Sequence, residues 1–456
     1  MPVPAFLQSD SAGQVKNYFA RIEQQALADL AETNTPGGAI AVVRGGRIDF
    51  AKGFGVSSVE TGEPVTPDML FRVGSVTKMF TAATLVTLAE QGKLKLDEPI
   101  GSYVKGLNQK LARVTAHQLL SHTAGIADRV VDYGPQDESA PKSVIPTWGD
   151  DYILAEPGGF FSYANPGYAI AGLVAAECGG RPFADLVSEL ILKPVEMSRT
   201  TFRPTAAMTW PLAQGHNAIG KAKPLVARPF ANNTVYWPDG FLFSSVTDLA
   251  RFAIAIIDGG KVDGRQVLPA SVIAKLVTPY SDTISFYDDA KYGYGLFIRS
   301  YRGVRVLEHG GAINGFGCLI RIAPDHRFAV VAVANKTDEA MDRTVDKVFE
   351  FYLPATTAAQ RKLPQEIAIS ESEMKEIAGL YQGSYRRVEL LLKDGRLLYK
   401  QGSSEEPVRR IGEHDFVAGP PGQDRQRRFS LLPGANGKIQ FLHVSGRALK
   451  KVEPAK

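Results

Sequence analysis

Arg72-Val73-Gly74-Ser75-Val76-Thr77-Lys78-Met79-Phe80-Thr81-Ala82-Ala83 opens a stretch that reads as one amphipathic helix, with Phe80, Ala83, Leu85, Leu88 and Ala89 as its buried positions and Gly92 as its stop. Positions three apart are neighbours on one helix face, so Lys78 is placed to reach the Ser75 hydroxyl. Neutral serine is a poor nucleophile, and an adjacent base supplies what it lacks. The spacing alone is weak. It occurs four times, at Ser75/Lys78, Ser102/Lys105, Ser139/Lys142 and Ser372/Lys375. Ser139 and Lys142 flank Pro141 in a polar loop, Ser372 lies in the charged stretch 371–376, and Ser102 follows Gly101 in a loop after Pro99. Only Ser75 is followed by a long apolar run. From this segment alone, a plain helix cap at Ser75 with Lys78 exposed is an equal reading.

Working outward, residues 12–31 predict an amphipathic helix with Val15, Tyr18, Phe19, Ile22, Ala26, Leu27 and Leu30 on one face. A hairpin follows, 39–43 and 48–51 around Arg44-Gly45-Gly46-Arg47. Residues 65–275 read as mostly helical, with a Pro-, Asp- and Gly-rich loop at about 127–150 placed to cover a site. Strand patterns return at 294–298, 305–308, 316–323 and 328–335, with a turn at 324–327 and a helix at about 337–352. The simplest assembly packs the late strands with the early hairpin. It gives an α/β (α+β) pair of lobes, an antiparallel sheet lobe (about 12–60 and 285–353) beside an all-helical lobe (about 65–275), with a cleft between. After a polar linker at 355–370, short alternating runs at 388–392, 397–399, 416–417, 429–432 and 439–444 read as a small antiparallel β-barrel or sandwich spanning 371–456. No chemistry-bearing cluster stands out in it, which leaves it a packing, lid-like or oligomerisation role.

Two further motifs carry chemistry. Phe161-Ser162-Tyr163-Ala164-Asn165-Pro166 contains the one Tyr-x-Asn, entering an apolar helix. A tyrosine near a lysine can pass a proton to a leaving group, and Asn165 offers an amide to a carbonyl or to the lysine. A helix-capping Asn165 with a core-facing Tyr163 is the plainer alternative. Glu308-His309-Gly310-Gly311-Ala312-Ile313 contains the one His-x-Gly. Glycines on a strand let a substrate approach the backbone, and the amides of Ala312 and Ser75 could together form an oxyanion hole. The alternative is a Gly-rich bend with His309 on the surface.

Ser75-x-x-Lys78, Tyr163-x-Asn165 and His309-x-Gly311, in that order, resemble the serine β-lactamase and penicillin-binding-protein superfamily over about residues 15–353. The nearest resemblance is to class C β-lactamase-like serine hydrolases, including D-aminopeptidases and family VIII carboxylesterases. Leu119 to Gly125, Leu88 to Leu94 and Gly240 to Phe252 agree with it. The 371–456 segment resembles the lipocalin-like barrel attached to some D-aminopeptidase-like relatives. The resemblance implies a β-lactamase-like serine hydrolase domain over 1–354. It implies Ser75 as the acylated nucleophile, Lys78 and Tyr163 as base and acid, and Asn165, His309, Gly311 and Ala312 as substrate-binding residues. His122 and Asp248 stay outside the site on this reading. The strand departs from the Lys-Thr/Ser-Gly of typical β-lactamases. His309 replaces the fixed cation and Gly310 the hydroxyl, which points away from efficient β-lactam hydrolysis.

The expected function is therefore cleavage of amide bonds (peptides, including D-amino acid-containing ones) or of short acyl esters through an acyl-enzyme. A carboxylesterase, a penicillin-binding sensor without turnover, and an acyl transferase of the same fold are the alternatives. Neither a cofactor nor a metal is implied, since no Cys/His cluster has ligand spacing and no phosphate loop is present. The expected partner is a small-molecule or peptide substrate. A net charge of +4, dispersed along the sequence, gives no argument for nucleic acid. No apolar run is long enough for a membrane span. Cys178 and Cys318 do not make a disulfide framework. The N-terminus lacks signal-peptide features, which predicts a cytoplasmic protein as given, periplasmic or secreted if trimmed. A homo-oligomer stays open.

Overall fold

The computed structural model describes residues 12–129, 131–218, 220, 222–284, 290–353, 365–420, 426–434 and 436–452. The expected linker lies outside the described residues over 355–364.

The eight-stranded antiparallel sheet is built from both ends of the first 353 residues. Its strands are β1 (Gly37–Arg44), β2 (Arg47–Gly55), β3 (Ser281–Asp282), β4 (Lys291–Tyr292), β5 (Phe297–Tyr301), β6 (Val304–Ile313), β7 (Phe316–Ala323) and β8 (Phe328–Ala334). They stand in the order β2-β1-β8-β7-β6-β5-β4-β3. Central β8 and β7 are buried along their whole length. Their continuous apolar runs follow from helices covering both faces. On one face Ile40, Val42, Val330 and Ala332 pack against α1 (Ala12–Thr33) and the helix Asp342–Tyr352. On the other, Ala39, Ala41, Val331 and Val333 join the large core shared with the helical lobe.

Several sequence expectations shift. From Tyr18 to Leu30 the α1 face is as expected except at Leu27, which is exposed, while the expected Val15 side chain lies outside the described residues; Asp29 is buried instead, accepting from the Thr344 backbone N–H and hydroxyl at 2.9 Å each. The strand expected at 294–298 starts at Phe297, because Gly295 takes φ +75° and Tyr294 N–H donates to Leu276 C=O instead of a ladder. The late helix starts at Asp342, because Met341 sits at φ +55° and blocks an earlier start. The Ser75 helix, α2 (Thr77–Glu90), is not amphipathic: residues 77–88 are all buried, so it runs through the core. It stops as expected, with Gly92 at φ +72° and Gly92 N–H and Lys93 N–H closing back onto Ala89 and Leu88.

Residues 379–451 form a closed eight-stranded antiparallel barrel. Five of its strands match the expected runs. The other three, Gly379–Gln382, Ser404–Arg410 and Arg447–Lys451, are short or rich in polar and charged residues, and the second also holds Pro407, which hides the strand pattern. A core of Tyr381, Val388, Leu390, Tyr399, Phe429, Leu431, Leu442 and Leu449 fills it. Among the described residues no helix is long and apolar enough to cross a membrane.

Candidate active site

Only one of the four Ser-x-x-Lys pairs sits at a buried helix start facing a cleft. Ser372 and Lys375 do lie on a helix, Glu371–Ile377, but both are exposed. Lys142 belongs to a short helix, Ala140–Val144, in the segment expected to be loop, with Pro141 in its first turn. Ser75 occupies a 3₁₀ turn, Gly74–Val76, that runs directly into α2. Lys78 is fully buried, and its Nζ lies 3.0 Å from Ser75 Oγ. The same nitrogen donates to Asn165 Oδ1 at 2.7 Å and to the Asp239 backbone carbonyl at 2.7 Å. Lys78 is thus held by three acceptors at the Ser75 hydroxyl, and the exposed-lysine alternative is excluded. Burial pushes its ammonium down to about 8, against the opposing pull of Asp239 and Asp128.

Asn165 starts the helix Asn165–Gly179, but the N-cap is Ala164, and the Asn165 side chain turns to Lys78 rather than capping. Tyr163 precedes it in an extended approach. The Lys78 ammonium stands 4.9 Å from its ring centre, and Ser75 lies close enough to favour its ionised form. Burial raises the phenol well above its ordinary value, so it stays protonated.

His309 is on β6, buried and not at the surface. Its Nδ1 lies 2.6 Å from the Gly310 carbonyl and must donate there, so Nε2 accepts from Tyr292 OH at 3.2 Å. Burial and the nearby Lys78 push the imidazole down to about 3, so His309 is neutral. Gly311 and Gly74 make the closest approach in the site. A Cβ on Gly311 would collide with the Val73 carbonyl, and one on Gly74, at φ +52°, with the Ala312 amide. The two glycines bring the backbone at Ser75 and at Ala312 side by side.

The sequence pattern set aside or missed several contributors. His122 is buried behind the site: its Nδ1 accepts from Ala164 N–H at 3.1 Å, and its ring packs 4.2 Å from that of Tyr163. Asp128 joins three segments. Its Oδ1 accepts from Asn165 N–H at 2.7 Å, and its Oδ2 from Arg447 Nε at 2.6 Å and Tyr385 OH at 2.5 Å. Arg447 and Tyr385 belong to the barrel, which therefore does more than pack. The barrel's last hairpin turns at Ser445-Gly446, both at positive φ, and Gly446 C=O accepts from Tyr163 N–H at 2.9 Å. His443 reaches the Phe161 carbonyl at 2.8 Å, and Ala448 N–H donates to Ser162 Oγ at 3.2 Å. The Arg447 guanidinium lies 4.7 Å over the Tyr163 ring. The hairpin thus splints the Tyr163 segment. The local sign in the sequence was a Ser-Gly turn before a basic residue, a pattern too common to nominate a site.

Ser75, Tyr163, Asn165, His309, Gly311 and Ala312 line one cleft of about 830 Å³, together with Asp132, Tyr236, Asp239, Phe241, Asn314, Tyr385, Arg386 and Arg447. The loop expected to cover a site contributes Val131 and Asp132 to this lining, and the barrel contributes Tyr385, Arg386 and Arg447. Among the described residues no group of three or more His, Cys, Asp or Glu could hold a metal ion.

Residues 19–353 match the family model described as Beta-lactamase. The protein belongs to the beta-lactamase family. It is 30% identical to penicillin-binding protein 4 of Amycolatopsis lactamdurans over 316 residues, 67% of this chain and 82% of that protein. It is 25% identical to protein flp of Staphylococcus aureus (strain MW2) over 329 residues, 70% of this chain but only 63% of the relative's length. Among solved structures it is similar to SurE, with a TM-score of 0.78 at 24% identity over 96% of this chain and 99% of that one. It is also similar to the D-alanine carboxypeptidase AmpC of Burkholderia cenocepacia, with a TM-score of 0.61 at 22% identity over 75% of this chain and 99% of that one. The SurE match extends the likeness of fold through the barrel.

Proposed function

We propose that the protein is a serine hydrolase that forms an acyl-enzyme at Ser75 and cleaves peptide-like amides, including those of D-amino acids, with short acyl esters as the second substrate class. The observation that carries this is the fully buried Lys78 nitrogen 3.0 Å from Ser75 Oγ. Membership of the beta-lactamase family supports it.

In this reading neutral Lys78 takes the Ser75 proton as Oγ attacks the acyl carbon. The amides of Ser75 and Ala312 receive the developing oxyanion. Tyr163, close to Ser75 in the cleft and protonated, relays a proton to the departing nitrogen or oxygen. Asn165 holds Lys78 and borders the acyl group. Water then attacks the ester, and the same groups return the proton to Ser75. His309, neutral and hydrogen-bonded on both nitrogens, shapes the substrate strand and offers no cation to a β-lactam carboxylate. Penicillins should therefore acylate slowly.

The test is intact mass after exposure to a fluorophosphonate or a penicillin, with Ser75→Ala alongside, and a screen of p-nitrophenyl esters, D- and L-amino acid p-nitroanilides and short peptides. An adduct on Ser75 with turnover of at least one class is expected. No adduct, or an adduct unchanged in Ser75→Ala, refutes the proposal. A burst without turnover on every substrate would favour a sensor.

A further inference from the structure

We propose that Asp239, backed by Asp132, forms an ammonium-binding subsite beside Ser75, so that preferred acyl donors carry a primary amine close to the scissile carbonyl. This rests on the hydrolase reading above and names its substrate class.

Asp239 stands in the short turn Trp237–Gly240. Its backbone carbonyl is bonded to the same Lys78 nitrogen that touches Ser75, so its side chain starts within one residue's reach of the nucleophile. The residue is only 6% exposed, and it lines the cleft. Among the described residues no group donates a hydrogen bond to its carboxylate, which opens onto the cleft and is left for a ligand or water to satisfy. Its neighbours do not supply one. Asp128 is itself an acceptor, taking hydrogen bonds from Arg447, Tyr385 and the Asn165 amide, and adds negative charge, not a donor. Asp132, on the same cleft, adds negative charge and raises the proton affinity of Asp239 further. Lys78 is the cation that opposes this, and its three hydrogen bonds go elsewhere.

The charge balance turns on Lys78. Acylation needs Lys78 neutral. Burial raises Asp239 to about 8, so with Lys78 neutral its carboxyl keeps a proton for want of a counter-charge. An ammonium on the substrate removes that deficit. It also adds positive charge near Lys78, which favours the neutral lysine and so couples amine binding to activation of Ser75. A carboxylate placed there would do the reverse. Tyr236 and Phe241 also line the cleft, and Phe241 already carries the Arg72 guanidinium 4.9 Å from its ring centre. Arg386 and Arg447 of the barrel also line the cleft, Arg447 already paired with Asp128.

The experiment compares glycine, D-alanine and L-alanine p-nitroanilides with their N-acetyl forms on the full-length protein, its Asp239→Asn variant and its Asp132→Asn variant. The wild type should prefer the free amines at least tenfold in kcat/KM for its best residue. Asp239→Asn should erase that preference, chiefly through KM, and Asp132→Asn should reduce it. Equal rates on both forms in the wild type, or a preference unchanged in Asp239→Asn, overturns the inference while leaving the hydrolase reading intact. Calorimetry of alanine amide against N-acetylalanine amide on Ser75→Ala, with and without Asp239→Asn, decides the subsite without turnover. If no variant hydrolyses anything, the hydrolase reading falls, and this binding comparison still decides for or against Asp239.

Discussion

Replacing Asp128 by asparagine should uncouple the barrel from the Ser75 cleft. The change keeps the shape of the side chain and removes its charge. The Asp128 side chain is 6% exposed and that of Arg447 is 27% exposed. Removing one member of a fully buried pair costs about 3–5 kcal/mol, because the partner's charge is stranded. The partial exposure of Arg447 lets water recover some of this, so we expect about 2 kcal/mol. The Asn165 N–H can still donate to the amide oxygen that the substitution introduces, which holds the loss to the ion pair and the Tyr385 bond. A double-mutant cycle with Arg447→Gln isolates the pair. Each single variant should cost more than the pair's share of the double variant, with a coupling energy on the order of 1.5 kcal/mol. Urea unfolding is the assay. Trp148, Trp210 and Trp237 all lie within residues 65–275, so their fluorescence follows the helical lobe, and circular dichroism adds the barrel. Because the hairpin carrying Arg447 also holds Tyr163 N–H, acylation of Ser75 should slow by roughly 10- to 100-fold in the single variants. Additive costs, or an Asp128→Asn variant within about 0.5 kcal/mol of the wild type, would refute the reasoning.

Three more outcomes follow from the geometry. Acylation of Ser75 should rise with pH through an apparent value near 8, because burial has lowered Lys78 to about 8 and its neutral form grows above that. The step belongs to Lys78 and Asp239 together, and a profile already flat from pH 6 upward would contradict it. Gly311→Ala should lose acylation and at least about 3 kcal/mol of stability, since its Cβ meets the Val73 carbonyl in the tightest contact of the site; a normal melting curve would count against this packing. Tyr292→Phe leaves His309 Nε2 without its donor in a buried setting and should cost about 1–3 kcal/mol in chemical denaturation, and no change would mean that the imidazole is held otherwise.

The sheet lobe was legible because its strands are continuous apolar runs and its turns carry glycine, proline and aspartate. Legibility failed where one residue overrides a pattern. Gly295 at φ +75° ends a stretch that looks like strand, and Met341 at φ +55° delays a helix that looks ready to start. The helix after Ser75 was located correctly, but its surroundings were not. A helix threaded through a core and one lying on a surface share the residues Phe80, Ala83, Leu85 and Leu88, and only packing tells them apart. The motif residues were legible as types at a spacing, and the structure brings Ser75, Lys78, Tyr163, Asn165, His309, Gly311 and Ala312 to one cleft. Asp128, Asp239 and Arg447 were not, because each acts through a partner far away in the sequence. Arg447 lies 319 residues from Asp128, and nothing local in either segment records the pairing.

Desolvation is the common cause of the site's protonation pattern, and its effect has opposite consequences for different groups. It removes the proton from Lys78 near pH 8, keeps the proton on Tyr163, and keeps His309 neutral. The base and acid of the proposed mechanism, and the uncharged strand residue, thus share one leading physical cause. That condition depends on whatever excludes water from the Tyr163 segment. The 439–451 hairpin does so directly, through Gly446, His443, Ala448 and Arg447. Loosening it would admit water and return Lys78 toward its ordinary cationic range. The barrel therefore sets the chemistry of the cleft through its dryness as well as through the side chains it presents.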